Sequence, residues 1–286
     1  MERKVAIITG ADGGMGREIT RAVAAAGYYV IMVCRDIVPA IPVKQEIEKD
    51  IPYAELEIME ADLASLTSVS ALADKLHARG LPVTLLMNNA GTMCTCFRQT
   101  EDELETTVGV NYVAPYLLTR KLLPLMSEGS RIVNMVSCTY AIGKIEKEFF
   151  SKGRKGSFHR IPIYSNTKLA LTLFTLELAE RLKDKGITVN AADPGIVSTN
   201  IITMHQWFDP LTDIFFRPFI RTPRQGADTA IKLLISKDVA GETGGVYAGG
   251  KRKKLAERII NHPQRKSLWE DTEAIVKRYF LSILPS

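Results

Sequence analysis

The sequence is short of most features that would fix a class at a glance. Its 286 residues hold only four cysteines, four histidines and two tryptophans. Cys34, Cys94, Cys96 and Cys138 match neither a zinc-cluster spacing nor a C-x-x-C redox pair, which argues against a metal-stapled or disulfide-stapled fold and fits reduced thiols. No metal site is expected. No apolar stretch reaches membrane-spanning length, and the run in MERKVAIITG is too short before Gly10 to be the core of a secretory signal. Low-complexity tracts, repeats of fixed period and Pro/Gly/Ser linkers are also missing. The formal charge of +5 comes mainly from Lys and Arg in residues 144–160 and 251–266. Neither cluster is a strong nucleic-acid signal, since neither forms a recognisable binding motif, so nucleic acid is not an expected partner, whereas a mildly positive field suits an anionic small molecule.

What is there is an apolar content of 46%, ample for one packed core. A single domain over 1–286, soluble and cytoplasmic, is expected. The one stretch with the composition to touch a bilayer surface is WFDPLTDIFFRPFI, Trp207 to Ile220.

Residues 4–9 (KVAIIT) form a short apolar, β-branched run that ends at Gly10, and helix-forming residues with helical spacing follow over 15–26. The same alternation recurs at 28–34, 54–61, 83–90, 131–137 and 187–193, with GGVYAGG at 244–250 as a last strand. Strands that are apolar at nearly every position need cover on both faces. The pattern therefore predicts an α/β, Rossmann-type doubly wound parallel sheet of about seven strands with helices on both faces. Thr222-Pro223 reads as the cap and first turn of a helix to Ser236, and the tail with Trp269 and Tyr279 as an added amphipathic helix packing near the site.

Between the first strand and first helix lies TGADGGMG, residues 9–16. Glycines at 10, 14 and 16 permit positive φ and close approach of backbone to a ligand, and a helix N-terminus offers free N–H groups to a pyrophosphate. The spacing is not G-x-G-x-x-G, and it lacks the Lys-Ser/Thr of a phosphoryl-transfer loop. The motif resembles the T-G-x-x-x-G-x-G turn of the short-chain dehydrogenase/reductase family. The resemblance continues through Asp62 in ADLAS, NNAG at 88–91, Asn111, Ser137, the Tyr164/Lys168 pair and PGIVST at 194–199. More narrowly, VCRD, ADLASLTSV, TKLALTLFTLELAERL and DPGIVST look like its retinol dehydrogenase-like and protochlorophyllide reductase-like group.

The second strand ends in VCRD, where an NAD site would place an acidic residue on the ribose. Cys34 stands there instead and Arg35 follows, a guanidinium that suits a 2′-phosphate; this favours NADP (NADPH). Arg17 can add charge nearby. NAD remains the alternative, with Asp36 as the ribose ligand.

Tyr164 and Lys168 stand at i and i+4 and so share a helical face. A phenol titrates near pH ~10 when unperturbed, and an adjacent ammonium is expected to lower that by favouring the phenolate. The resemblance implies Tyr164 as acid/base for carbonyl–alcohol interconversion, Ser137 on the carbonyl oxygen, Lys168 also on the nicotinamide ribose, and Asn111 holding a relay water. It implies further cofactor contacts from Thr9, Gly10, Gly14, Met15 and Gly16 in the turn, and from Asp62 and Leu63 beside the adenine. Asn89, Ala90 and Gly91 would line the cofactor, and Pro194, Gly195, the Val197 backbone and the Thr199 hydroxyl would sit at the carboxamide.

Variable substrate loops are expected near 143–163 and 200–221: the first a basic, solvated flap, the second an apolar lid with Met204, Trp207, Phe208, Phe215, Phe216 and Phe219. The function expected is NADP-dependent reduction of an apolar ketone or aldehyde, or oxidation of the alcohol. A nucleotide-sugar epimerase or dehydratase would need a differently spaced turn, and a non-catalytic NADP-binding sensor would not need the Asn111, Ser137, Tyr164 and Lys168 set. A small-molecule substrate is the expected partner, and the family resemblance makes a homodimer or homotetramer the expected assembly.

Overall fold

A computed structural model describes residues 3–146, 149–150, 158–197 and 221–283. The chain alternates β1 (Val5–Thr9), α1 (Gly14–Ala25), β2 (Tyr29–Cys34), α2 (Ile37–Asp50), β3 (Glu55–Glu60), α3 (Leu66–Arg79) and β4 (Val83–Asn88). It then forms α4 (Thr106–Val108), a π-helical turn (Gly109–Val113), α5 (Ala114–Leu122), β5 (Arg131–Met135), a 3-10 turn (Cys138–Ile142), α6 (Arg160–Arg181) and β6 (Thr188–Asp193). The described remainder comprises α7 (Pro223–Ile235), β7 (Gly245–Ala248), β8 (Lys251–Arg252), α8 (Glu257–Ile260) and α9 (Arg265–Val276).

The strands form one 8-stranded sheet in the order β3-β2-β1-β4-β5-β6-β7-β8. The order reverses between β1 and β4, and ligands of such sheets bind in the crevice at the carboxyl ends beside that reversal. All pairs are parallel except β7 with β8. The eighth strand exceeds the expected count because Gly249 and Gly250, with φ of +58° and +71°, turn the chain back as a two-residue hairpin. Alternate residues of β1 feed two cores. Val5 and Ile7 pack with α3, α5 and α6, while Ala6 and Ile8 pack with α1, α2 and α7. The edge strand β3 instead exposes Glu55 and Glu60, a charged edge that resists pairing with another chain.

The expected cap at Thr222 forms a full capping box: Gln225 N donates to Thr222 Oγ1 at 3.3 Å and Thr222 N donates to Gln225 Oε1 at 3.0 Å. In the tail, α9 packs on α6, with Trp269 at 5.1 Å from the Tyr116 ring and 5.9 Å from that of Phe174, and its Thr272 hydroxyl bonds the Tyr112 hydroxyl at 2.8 Å, so that it buttresses the outer helix layer. Phe149 departs from the solvated-flap reading, because it is buried edge-on against Tyr112 at 5.7 Å. Among the described residues no helix is long and apolar enough to cross a membrane. Thr199 and the 200–220 segment, expected as carboxamide contact and lid, lie outside the described residues.

Candidate active site

The turn after β1 needs glycine for three different reasons. Gly10 adopts φ +61°, a left-handed conformation that favours glycine. Gly16 lies inside α1, where a Cβ would stand 1.9 Å from the Gly10 carbonyl oxygen, so its bareness lets the helix close onto the turn. At Gly14 a Cβ would meet the Pro223 ring at 3.3 Å, which makes it a helix-packing position. Of the three, Gly10 alone uses positive φ, and Gly14 and Gly16 use the close approach. The cap residue Gly13 offers no side chain to the first turn of α1, leaving its N–H groups for a ligand.

Thr9 and Asn89 fasten this turn to β4. Thr9 Oγ1 accepts from Asn89 N and Ala90 N, both at 3.0 Å, and donates to Met87 O at 3.4 Å. Asn89 Nδ2 donates to Thr9 O at 3.0 Å and Gly10 O at 3.2 Å. The Thr9 hydroxyl is therefore fully engaged within the protein and shapes the turn. Asn89 Oδ1, by contrast, is buried without a hydrogen-bond partner, an acceptor left over at the rim of the turn.

At the end of β2, Cys34 is buried, and its thiol is pushed up to about 12 by burial and then by the neighbouring Asp12 carboxylate. Arg35 projects into solvent with 74% of its side chain exposed, and its Nε donates to Asp36 at 3.1 Å. Arg17 is drawn instead into an ion pair with Glu46 at 2.8 Å. Asp62 accepts from Ala64 N at 2.9 Å while the helix cap falls to Ser65, whose hydroxyl accepts from Ser68 N at 3.2 Å. Leu63 is buried in the core beneath it.

Ser137, at the end of β5, caps the 3-10 turn by accepting from Thr139 N at 3.4 Å. α6 carries Tyr164 and Lys168 opposite it, with the Lys168 Nζ 5.4 Å from the Tyr164 ring centre and donating to Met135 O at 2.9 Å. The electrostatics differ from the simple ammonium-lowers-phenol expectation. Burial pushes Tyr164 up to about 12, with the Ser137 hydrogen bond pulling it down and the charges of Cys138 and Asp193 pushing it further up. Burial likewise brings Lys168 down to about 8, against the field of Asp193. Desolvation leads for both groups because both are enclosed, and the ammonium is directed at a backbone carbonyl.

Asn111 lies in the π-helical turn, where Ala114 N bonds Gly109 O, five residues back. Pro115 lacks the N–H that an α-helix would aim at the Asn111 carbonyl, which explains a wider turn here. Asn111 Oδ1 accepts from Thr92 N at 2.7 Å, and Nδ2 donates to Thr92 O at 2.8 Å and Thr167 Oγ1 at 3.2 Å. The side chain is fixed by a residue pair, Thr92 and Thr167, to which the sequence reading gives no role. Gly91 completes this floor, its Cβ position lying 3.4 Å from Asn111 Oδ1 and 3.6 Å from Lys168 Nζ.

These groups surround a cavity of about 320 Å³ lined by Met15, Asn89, Gly91, Ser137, Tyr164, Lys168, Pro194, Gly195 and Val197 of the expected set. Met15, Met93, Met135, Ile161 and Ile196 make much of its wall apolar, and Cys138 opens onto it. Asn111 stands behind the wall. Val197 is buried and bridges Arg221, whose N donates to Ile196 O at 2.8 Å. Among the described residues no cluster of His, Cys, Asp and Glu has the makings of a metal site.

The model of the short chain dehydrogenase family matches residues 4–206. Mouse retinol dehydrogenase 14 is 35% identical over 291 residues, covering 96% of this chain and 86% of that protein. The polyprenol dehydrogenase of Danio rerio is 34% identical over 289 residues, again covering 96% and 86%. Among solved structures, an uncharacterised protein from Mycobacterium Paratuberculosis superposes with a TM-score of 0.75 at 27% identity, over 96% of this chain and 93% of that one. A blue fluorescent protein from a metagenomic library, in complex with NADPH, superposes with a TM-score of 0.68 at 27% identity, over 86% and 96%. The chain belongs to the short-chain dehydrogenase family, oxidoreductases that interconvert CH–OH and C=O groups.

Proposed function

We propose that the protein reduces an apolar aldehyde or ketone with NADPH, and oxidises the alcohol in reverse, with Tyr164 as the acid and base. The observation that carries this reading is the convergence of Ser137, Tyr164 and Lys168 on one wall of a cavity that is otherwise lined by methionine and isoleucine side chains. Relatives named retinol and polyprenol dehydrogenases accord with a hydrophobic substrate, and neighbours solved with NADP or NADPH accord with the cofactor.

The chain's own residues suit a dinucleotide. The uncapped first turn of α1 and the left-handed Gly10 form a phosphate cradle, and the orphaned Asn89 Oδ1 supplies an acceptor beside it. Arg35 meets Asp36 through its Nε, and its Nη pair suits a 2′-phosphate held by two charge-assisted hydrogen bonds. Bound there, the reduced nicotinamide supplies the hydride. Ser137 donates to the substrate oxygen as charge builds on it, and Tyr164 passes its phenolic proton to that oxygen. A phenol held up near 12 is fully protonated at neutral pH, the state an acid must start from. The Lys168 ammonium, within 5.4 Å of the ring, stabilises the phenolate that remains.

A screen of apolar aldehydes, ketones and quinones, following loss of NADPH absorbance, tests the assignment. Turnover of at least one class is expected, and tight NADPH binding with no turnover across the whole panel would sink it. Arg35→Ala is expected to weaken NADPH about 10-fold or more while leaving NADH within a factor of two, since a lost charge-assisted pair costs about 1.5–3 kcal/mol. Equal loss for both nucleotides, measured by fluorescence titration, would remove Arg35 from the 2′-phosphate.

A further inference from the structure

β6 ends in Asp193, a carboxylate that is not on the cavity wall although Pro194 and Gly195 are. Strand alternation fixes its direction. Ala191 packs in the core shared with Leu169, Ala170 and Leu173 of α6, whereas Ala192 packs in the opposite core with Ala227 and Ala230 of α7. Asp193, two residues beyond Ala191, therefore faces α6, and it does so with 7% of its surface exposed. Its Oδ1 accepts from Gly195 N at 3.0 Å, which pins the carboxylate at the strand end.

Around it, α6 presents Tyr164 and Lys168, the 3-10 turn presents Cys138 and Tyr140, and β7 pairs it with the apolar Ala248. Arg221 approaches from the loop side, where its Nη1 donates to Pro194 O at 3.4 Å. Seen from Lys168, the neighbours are the neutral Asn111 side of the cavity, the Met135 carbonyl and Tyr164. Met135, whose carbonyl accepts from Lys168 Nζ at 2.9 Å, is paired across the sheet with Ala192, the residue before Asp193, so the carboxylate stands beside the ammonium's anchor and its field opposes the burial that pulls Lys168 down. An ammonium with a single carbonyl acceptor and no countercharge in an enclosed setting sheds its proton.

We propose that Asp193 is a positioning residue of the active site, a buried counter-ion that acts through Lys168 to keep its ammonium charged beside Tyr164. It does not line the cavity. The inference rests on the reading of Lys168 as the cation that supports Tyr164. Its sign follows directly: burial pulls the Lys168 titration down to about 8, and Asp193 opposes that fall. Removing the carboxylate moves the titration lower still, so the ammonium is lost nearer neutrality.

Asp193→Asn keeps Oδ1 for the Gly195 N–H and deletes only the charge. In protein carrying ε-¹³C lysine, with the Lys168 resonance identified by Lys168→Met, the Lys168 midpoint is expected to fall by about one pH unit or more in Asp193→Asn. The alkaline limb of kcat for NADPH-dependent reduction is expected to fall with it, while the melting temperature at pH 6 stays within a few degrees of the parent. Coincident Lys168 midpoints for the parent and Asp193→Asn would overturn the proposal, whatever the enzyme turns over. So would an activity loss in Asp193→Ala that Asp193→Asn fully restores, because that result assigns the side chain to the Gly195 turn alone. If neither protein reduces any carbonyl, the functional reading fails while the NMR midpoints still decide the counter-ion.

Discussion

Tyr164→Phe is expected to lose about 10³-fold or more in kcat for carbonyl reduction while binding NADPH within a factor of two of the parent. General acid catalysis by a positioned side chain is worth ~10²–10⁴ in rate, so three decades, or about 4 kcal/mol of barrier, is a central value. The substitution removes one oxygen and little else. Tyr164 projects from α6, a helix of 22 residues anchored along its length in the core, and a phenyl ring fits the same space. Ser137 keeps its bond from Thr139 N at 3.4 Å, so the 3-10 turn retains its cap. Lys168 keeps Met135 O at 2.9 Å, so the ammonium is not released to wander. With fold, cap and cation in place, a rate within tenfold of the parent on the same substrate would mean that another group delivers the proton. Single-turnover rates measured alongside fluorescence titration of NADPH separate that outcome from a binding defect.

The parts of this molecule that could be read from sequence are those in which local pattern and tertiary role coincide. β1, β2 and β6 are buried at every residue and β4 and β5 at all but one, and their apolar runs stand out between helical periods because both faces must be covered. The order of TGADGGMG, NNAG, Ser137 and Tyr164/Lys168 along those strand ends then places them at one crevice, which is where they lie. β8 was invisible for the opposite reason: Lys251 and Arg252 are exposed charged residues, and only the two left-handed glycines before them make a strand of them. The π-helical turn escaped because its cause, Pro115, sits four residues past Asn111 and reads as an ordinary interruption of a helix. Thr92 lies in no motif, and Thr167 and Asp193 stand inside TKLALTLFTLELAERL and DPGIVST without a role that those motifs assign; the roles of all three appear only when the strand ends and α6 are brought together. The titration of Tyr164 was misjudged from sequence for the same reason: an i, i+4 ammonium is a local fact, whereas desolvation of both groups belongs to the packed site.

Gly16→Ala is the second large effect, expected to weaken NADPH by about 100-fold or more, some 2.7 kcal/mol, and to lower the melting temperature. A Cβ at this position would lie 1.9 Å from the Gly10 carbonyl oxygen, 2.8 Å from its carbon and 2.9 Å from Asn89 Nδ2. None of these can yield cheaply. Gly10 is held by its own N–H to Val33 O at 2.8 Å, and its carbonyl accepts from Gly13 N and Asn89 Nδ2, both at 3.2 Å. Relief requires α1 to lift off the turn, which moves the N–H groups of its first turn away from the phosphates they would cradle. Two neighbours supply the scale. At Gly14 the added methyl meets only the Pro223 ring at 3.3 Å, so a few tenths of an ångström of movement in α7 accommodates it and a loss of tenfold or less is expected. At Gly13 the nearest atom is 3.5 Å away and φ is −75°, an ordinary contact in an ordinary conformation, so Ala there should bind nucleotide nearly as the parent does. Fluorescence titration and thermal melting of the three variants give the ranking Gly16 far above Gly14 above Gly13. A Gly16→Ala protein that binds NADPH as tightly as Gly13→Ala would show that the turn and helix are not locked together as the distances require.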